Sequence, residues 1–379
     1  MANFSFRENH LFNILDTFDS VRGPLDLFLR NYCRAHKALG PKDRRFISEA
    51  VYGITRWQGL IDHLCPTKPP TWEKRYSIYK DFEPTQYLND ASIPPHIRVS
   101  FPQNFFQFLS DALGEEEALK FCLTCNAPAP TTIRANTLKI SRDALLAKWK
   151  DLYEISPCKY SSAGIVFHKK INFFELTEFK EGLFEIQDEG SQLIADLVQA
   201  SPQDRVLDYC SGSGGKALAL APRKQGKGQI YLHDIRPATL LEAKKRLKRA
   251  GIQNAQIVLP SDRPKKNELK GTVHWVLVDA PCSGTGTLRR NPDMKWKFDL
   301  SLVERLVQEQ RTIFEEALKF MNPKGHIVYA TCSVLPQENE EQIAFFQEKF
   351  NLKLVGEPFK CTPLPGEMDG FFGAVLKMI

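Results

Sequence analysis

The alternation of short apolar runs with amphipathic stretches from about residue 191 onward constrains this chain more than any other feature. Strand candidates lie at 205–210, 229–234, 255–259, 275–280 and 326–331. Helical periodicity fills the intervals, most plainly over 299–321, where Val303, Leu306, Val307, Gln310, Phe314, Ala317, Leu318 and Met321 share one face. Strands separated by helices imply βαβ units and a mainly parallel sheet. The end of the chain departs from that rule. Residues 352–356 and 372–378 have no helix between them and are expected to pair as an antiparallel hairpin. The expected fold class is therefore α/β, a doubly wound, mainly parallel sheet closed by a C-terminal antiparallel hairpin.

Upstream the texture changes. Residues 10–65 read as helices, because Leu11, Ile14, Leu15 and Phe18 recur at helical spacing, as do Phe46, Ala50, Val51 and Ile54. Prolines crowd 66–102 and predict an irregular connection. Residues 103–190 look mixed, helical over 105–125 and 141–150, with strands near 131–136 and 164–167. Three regions follow: a helical one over 1–80, a small α/β subdomain over 81–190 and the parallel-sheet domain over 191–379.

No apolar run reaches the roughly 18 residues of a membrane helix, so no membrane partner is expected. The start, Met-Ala-Asn-Phe-Ser-Phe-Arg-Glu, lacks the basic-then-apolar order of an export signal. Nine cysteines without framework spacing suit a reducing compartment, and a cytoplasmic location is expected. A net charge of +6 permits a nucleic-acid partner without demanding one.

The first strand of the alternating region runs into a glycine-rich turn, Val206-Leu-Asp-Tyr-Cys-Ser-Gly-Ser-Gly-Gly-Lys216. Glycine admits positive φ and lets backbone approach a ligand, and such a loop lies at the carboxyl end of a parallel strand, where open α/β sheets bind ligands. Asp208, Cys210, Ser211, Gly212, Ser213, Gly214, Gly215 and Lys216 are thus candidate cofactor contacts, as is Asp279 at the end of the fourth strand. Asp234, at the end of the next strand, can hold two ribose hydroxyls. Asp262, after the third strand, is a candidate for the adenine, although an exposed loop aspartate reads almost as well. Taken alone, the spacing of Gly212, Gly214 and Ala217 also fits a dinucleotide fingerprint or a plain tight turn. Asp208 favours S-adenosyl-L-methionine: its carboxylate suits the cationic amino group of a methionine tail and would repel a pyrophosphate.

Two more strand ends carry chemistry. The fourth ends in Asp279-Ala-Pro-Cys-Ser-Gly-Thr-Gly286 and the fifth in Ala330-Thr-Cys-Ser333. Parallel strands share a carboxyl end, so both should open beside the glycine loop. Such a set answers one chemical problem, because C5 of cytosine is too weak a nucleophile to take a methyl group directly. A thiolate adding to C6 makes C5 enamine-like, an acid near N3 stabilises the adduct, and a further group assists release. Cys332, Cys282 and Asp279 can supply these roles: Cys332 attacks, Asp279 serves N3 and Cys282 assists release. Cys122 and Cys125 form a CxxC, but no second pair completes a zinc site, so no metal is expected.

At these residues the sequence resembles the Nop/Sun family of RNA cytosine-C5 methyltransferases, in particular its bacterial small-subunit ribosomal RNA members. The family loop Asp-x-Cys-Ala-x-Pro-Gly-Gly-Lys-Thr is matched over 208–217, with Ser213 where Pro is usual and Ala217 where Thr is usual. Asp279 to Gly286, Arg289-Arg-Asn-Pro-Asp293, Ala330-Thr-Cys-Ser-Val334, Glu338-Asn-Glu340 and Asp369-Gly-Phe-Phe372 match its later motifs. The resemblance implies a Rossmann-like class I methyltransferase domain in which Cys332 attacks C6 and Cys282 assists release. DNA cytosine methyltransferases use the Pro-Cys of the fourth strand instead. It further implies action on RNA, with ribosomal RNA as the expected target, and a monomer is expected. A tRNA target and a non-catalytic assembly factor of the same fold are the alternatives.

Phe184-Glu-Ile-Gln-Asp-Glu-Gly-Ser-Gln192 resembles the lead into the family's catalytic domain, and Pro130-Thr-Thr-Ile-Arg-Ala-Asn-Thr-Leu138 its small RNA-holding subdomain. The first eighty residues resemble the helical RNA-binding extension of the bacterial members. Arg289, Arg290, Lys295 and Lys297 read either as phosphate contacts or as a solvated basic loop. Lys244, Lys245, Arg246, Lys248 and Arg249 read as a solvated helix face. A cytosine presenting C6 must be single-stranded or flipped out.

Overall fold

The computed structural model describes residues 4–19 and 23–379. Positions 1–3, part of the segment read for an export signal, and 20–22, inside the expected helical run, lie outside the described residues. Two compact units emerge, one from Met1–Pro128 with Thr287–Asp299, the other from Ala129–Gly286 with Leu300–Ile379. The units thus divide after Pro128, Gly286 and Asp299. Among the described residues no helix is long and apolar enough to cross a membrane.

The first unit is helical, with helices at Phe6–Asp19, Leu25–Ala35, Pro41–Leu64, Trp72–Tyr79, Pro95–Arg98, Gln103–Leu113 and Glu115–Cys125. Leu11, Ile14, Leu15, Ala50, Val51 and Ile54 close its core, as their spacing predicts, while Ile47 joins them and Phe46 and Phe18 are only partly buried against it. The proline-rich stretch is more ordered than expected. Thr71 caps the helix Trp72–Tyr79 by accepting from the Lys74 amide at 3.4 Å, and Trp72 and Tyr76 enter the same core. The expected helix over 105–125 is broken at Gly114, whose φ of 84° favours glycine.

The segment Thr287–Asp299 overturns both readings for Arg289 and Lys295. Arg289 and Lys295 are each 1% exposed. Lys295 Nζ donates to the Arg56 carbonyl at 2.6 Å and to Asn126 Oδ1 at 2.7 Å, and burial pulls its ammonium down to about 7. Lys297 Nζ donates to the Gly23 carbonyl at 2.7 Å and to Asp293 Oδ2 at 2.9 Å. Trp296 Nε1 donates to the Thr55 carbonyl at 2.7 Å, while Phe298 stacks on Phe105 with ring centroids 3.7 Å apart. Long cationic chains here satisfy buried oxygens of the helical unit, which no short-range pattern reveals.

The second unit holds two sheets. The smaller contains β1 (Thr131–Ala135), β2 (Ile155–Pro157), β3 (Gly164–Phe167) and β4 (Phe184–Ile186) in the order β2-β3-β1-β4, all antiparallel. Its apolar face packs on Trp149 and Leu145 of the helix Arg142–Trp149, which Ser141 caps.

The larger sheet contains β5 (Arg205–Asp208), β6 (Gln229–His233), β7 (Ala255–Val258), β8 (Val273–Asp279), β9 (Met321–Thr331), β10 (Leu352–Leu354), β11 (Phe359–Cys361) and β12 (Phe371–Met378). Its order is β10-β12-β9-β8-β5-β6-β7, with β11 also on β12. β5 to β9 are parallel, and β12 runs antiparallel to both β9 and β10. The mainly parallel sheet and its antiparallel end are those expected, and the fold is the Rossmann-like class I methyltransferase type. Crossovers put β5, β8 and β9 side by side, so Asp208, Asp279 and Thr331 end neighbouring strands. Val303, Gln310, Phe314 and Ala317 bury the expected face of the helix Leu300–Leu318.

Candidate active site

The turn after β5 is built from backbone. Ser211 N donates to the His233 carbonyl at 2.9 Å and Gly214 N to the Ser211 carbonyl at 2.8 Å. Gly214 takes φ of 80°, and a Cβ there would meet Leu232 and Ala243 at 3.1–3.2 Å. Glycine therefore lets the helix Gly215–Leu220 start tight against its neighbours.

In front of this turn lies a cavity of about 610 Å³. Asp208, Cys210, Ser211, Gly212, Ser213, Gly215, Lys216, Asp234 and Asp279 line it, as expected from their strand ends. Gly214 faces away into packing, and Asp262 is not on the wall. Its Oδ1 accepts the Lys265 amide at 3.1 Å and caps the helix Arg263–Leu269. Glu309, Thr312, Ile313 and Glu316, one face of the helix Leu300–Leu318, line the cavity, together with His233, Ile235, Arg236 and Pro281. Sequence reading missed these; their spacing of three, one and three was the available signal.

Electrostatics sort the carboxylates. Asp208 is 1% exposed, and neither of its oxygens has a hydrogen bond of good geometry. Burial pushes its carboxyl up to about 7, against the pull of the Lys216 ammonium and with the push of Asp279. A buried, unsatisfied carboxylate facing a cavity fits a cationic amine there. Burial would raise Asp234 too, but the Arg236 guanidinium and amide, with the Gly212 N–H at 2.9 Å, hold it below its ordinary range. A ribose at Asp234 must therefore compete with Arg236. Lys216 Nζ is bonded to Asp279 Oδ2. Burial alone would lower its pKa, yet Asp279 and then Asp208 keep the ammonium above its usual value.

The two cysteines meet beside Asp279, although neither lines the cavity. Cys282 Sγ and Cys332 Sγ stand 3.3 Å apart. The bond to Cys332, followed by burial, pushes the Cys282 thiol well up. A polar network beneath holds both turns. Glu338, fully buried, accepts from Ser283 N at 2.9 Å, Ser283 Oγ at 2.5 Å and Gln310 Nε2 at 3.0 Å. Thr285 Oγ1 meets Ser333 Oγ at 3.0 Å and accepts from Val334 N at 3.0 Å, while Asn339 Nδ2 donates to the Ser333 carbonyl at 2.9 Å. Glu338 and Asn339 are structural members of the site that only a motif match had marked. A Cβ on Gly286 would come within 2.2 Å of the Gly370 carbonyl, so glycine lets the β12 lead close over this loop.

Two of the five cations on the helix Pro237–Ala250 correct the expected solvated face. Arg246 and Arg249 bond Glu185 of β4 at 3.0 and 2.5 Å, while Lys244, Lys245 and Lys248 are exposed. Cys122 and Cys125 are buried in their helix, and among the described residues no acid, His or Cys group is placed to hold a metal.

Residues 195–377 match the family described as 16S rRNA methyltransferase RsmB/F, and residues 101–173 match the RsmF/B-like ferredoxin-like domain. The chain is 33% identical to ribosomal RNA small subunit methyltransferase B of Sodalis glossinidius, across 90% of each protein. It is also 33% identical to the protein of the same name from Pseudomonas putida, over 66% of this chain and 58% of that protein. The chain thus spans little more than half the length of some relatives it matches. The 25S rRNA (cytosine-C(5))-methyltransferase nop2 of Schizosaccharomyces pombe is 31% identical over 89% of this chain and 59% of its own length. Among solved structures, PH0851 superposes with a TM-score of 0.78 at 21% identity, covering 97% of each chain.

Proposed function

Because the chain belongs to the RsmB/F family of 16S rRNA methyltransferases, we propose that it methylates C5 of a cytosine in ribosomal RNA through a covalent adduct on Cys332. One observation carries this reading: two thiols 3.3 Å apart at neighbouring strand ends, next to a cavity with an unsatisfied buried carboxylate. The name of the fission-yeast relative, a cytosine-C5 enzyme, lends it further support.

S-adenosylmethionine supplies an electrophilic methyl group to this site. Asp208 accepts its amino group, the 211–215 backbone holds its tail and Asp234 takes the ribose hydroxyls. Cys282 holds its proton, pushed up by the bond to Cys332 and by burial, and the family pattern makes Cys332 the nucleophile. The Cys332 thiolate forms a bond to C6, and the displaced electron pair moves to C5. Asp279 serves the N3 edge, where negative charge develops, as a proton donor; a bare carboxylate only accepts, so the proton it gives is one relayed from the Lys216 ammonium bonded to it. After C5 gains the methyl group, a water-borne base takes its proton, the C5–C6 double bond re-forms and the sulfur leaves. Cys282 donates its S–H to that departing sulfur.

Denaturing electrophoresis tests the assignment. Cys332→Ser should neither methylate nor form an adduct, since a serine hydroxyl is far less ionised than a thiol. Cys282→Ala should accumulate an RNase-sensitive protein–RNA band that the double variant lacks. A band with Cys332→Ser but not with Cys282→Ala would reverse the roles.

A further inference from the structure

The proposed mechanism leaves unexplained a buried ionic chain that runs from the small sheet to the glycine-rich turn. Glu185 on β4 is 3% exposed and takes two guanidinium groups. Its Oε2 accepts from Arg246 Nη2 at 3.0 Å and Nε at 3.2 Å, and its Oε1 accepts from Arg249 Nη2 at 2.5 Å. The remaining arm of Arg246 reaches the turn: Nη1 donates to the Ser213 carbonyl at 2.9 Å and to Ser213 Oγ at 2.7 Å. Proline, usual at this position in the family pattern, would offer no hydroxyl. A second bridge runs parallel. Arg134 Nε on β1 donates to Gln187 Oε1 at 2.7 Å, and Gln187 Nε2 reaches the Gly215 carbonyl at 3.3 Å.

We propose that Glu185, Arg246 and Ser213 form a positioning relay through which the small sheet fixes the cofactor turn in its binding conformation. The inference rests on the reading of that turn as the S-adenosylmethionine site. Glu185 does not line the cavity and acts only through Arg246. Arg246 is held in one orientation by a carboxylate at its far side, so its remaining N–H groups present fixed donors to both oxygens of Ser213. Charge-assisted bonds of this kind are stronger and more directional than neutral ones. The turn is otherwise tied by backbone bonds, by Gly212 N on Asp234 and by Gln187 on the Gly215 carbonyl, so removing the relay frees the middle of the loop without dismantling its ends.

Calorimetric titration of the whole protein with S-adenosylmethionine tests this. Ser213→Val and Ser213→Ala should each weaken binding about 10-fold, the order expected for one lost bond from a charged donor, while Ser213→Thr, which keeps the hydroxyl in the shape of Val, should restore it. Glu185→Gln should weaken binding as well, and the Ser213→Ala/Glu185→Gln double variant should bind no more weakly than the worse single variant, since both cut one relay. Thermal unfolding of Ser213→Ala within a degree or two of the unsubstituted protein would separate this loss from a folding defect. Equal affinity for the Thr and Val variants, or additive losses in the double variant, would overturn the relay. An unsubstituted protein that binds no S-adenosylmethionine would remove the functional reading itself, and the relay with it.

Discussion

Asp208→Asn should make the protein more stable while disabling it. The carboxyl stands near 3.8 in an ordinary setting and at about 7 in the fold. At roughly 1.4 kcal/mol per pH unit, keeping it ionised at about pH 7.5 costs the folded state about 4 kcal/mol. The Asn amide would also lie buried without a partner, which costs about 1–3 kcal/mol. The net expectation is a gain of about 1–3 kcal/mol, read from urea unfolding followed by tryptophan fluorescence. Its pH dependence has a definite sign. The folded carboxyl holds its proton more tightly than the unfolded one, so the unsubstituted protein loses stability as pH rises from about 4 to about 7. The gain from Asn should therefore vanish by about pH 5, where Asp208 is largely protonated. Calorimetry on the same variant should show S-adenosylmethionine binding weakened at least about 10-fold, because a charged acceptor is gone. A variant no more stable than its parent at about pH 7.5, or a gain unchanged at about pH 5, would refute the burial argument.

Glu338→Gln places an amide against donors that now meet a carboxylate, and should cost about 1.5–3 kcal/mol in urea unfolding. It should also reduce the trapped band of a Cys282→Ala background on denaturing gels. Lys295 loses its proton near 7 in the fold but near 10.5 when unfolded, so its contribution to stability rises with pH between those values. Lys295→Met should lack that rise when urea midpoints are compared at about pH 7 and about pH 9. Asp262→Asn keeps a capping oxygen and should leave S-adenosylmethionine affinity unchanged in calorimetry; a clear loss would return Asp262 to the cofactor site.

The parallel sheet and its cavity were legible because they rest on short-range patterns. Apolar strands ending in Asp208, Asp234, Asp279 and Cys332 put their polar ends on one edge whatever the rest of the chain does. Charges resisted reading, since a cation's role depends on partners distant in sequence. Lys295 finds Arg56 and Asn126, and Arg246 finds Glu185. From the linear pattern, Lys295 reads as a phosphate contact or a solvated residue, and Arg246 as part of a solvated helix face. The strands β2, β4 and β11, three residues each, were too short to show alternation. Asp262 stood where a ligand contact is plausible, yet the helix that follows needs an acceptor for its first amides.

The return of Thr287–Asp299 to the helical unit bears on how the protein is made. Trp296 and Phe298 pack against residues near positions 55 and 105, and Lys295 supplies buried oxygens there with their donor. A ribosome that has released the first 128 residues has therefore delivered a helical unit with an unfilled slot. It stays unfilled until nearly three hundred residues have been translated and the intervening strands have left the exit tunnel. During that interval, backbone carbonyls at Thr55 and Arg56 and the face of Phe105 wait for partners. The nascent chain should thus remain protease-sensitive near these positions until elongation passes residue 299, and a stop codon placed between 129 and 286 should yield a fragment that needs chaperones rather than a free-standing domain.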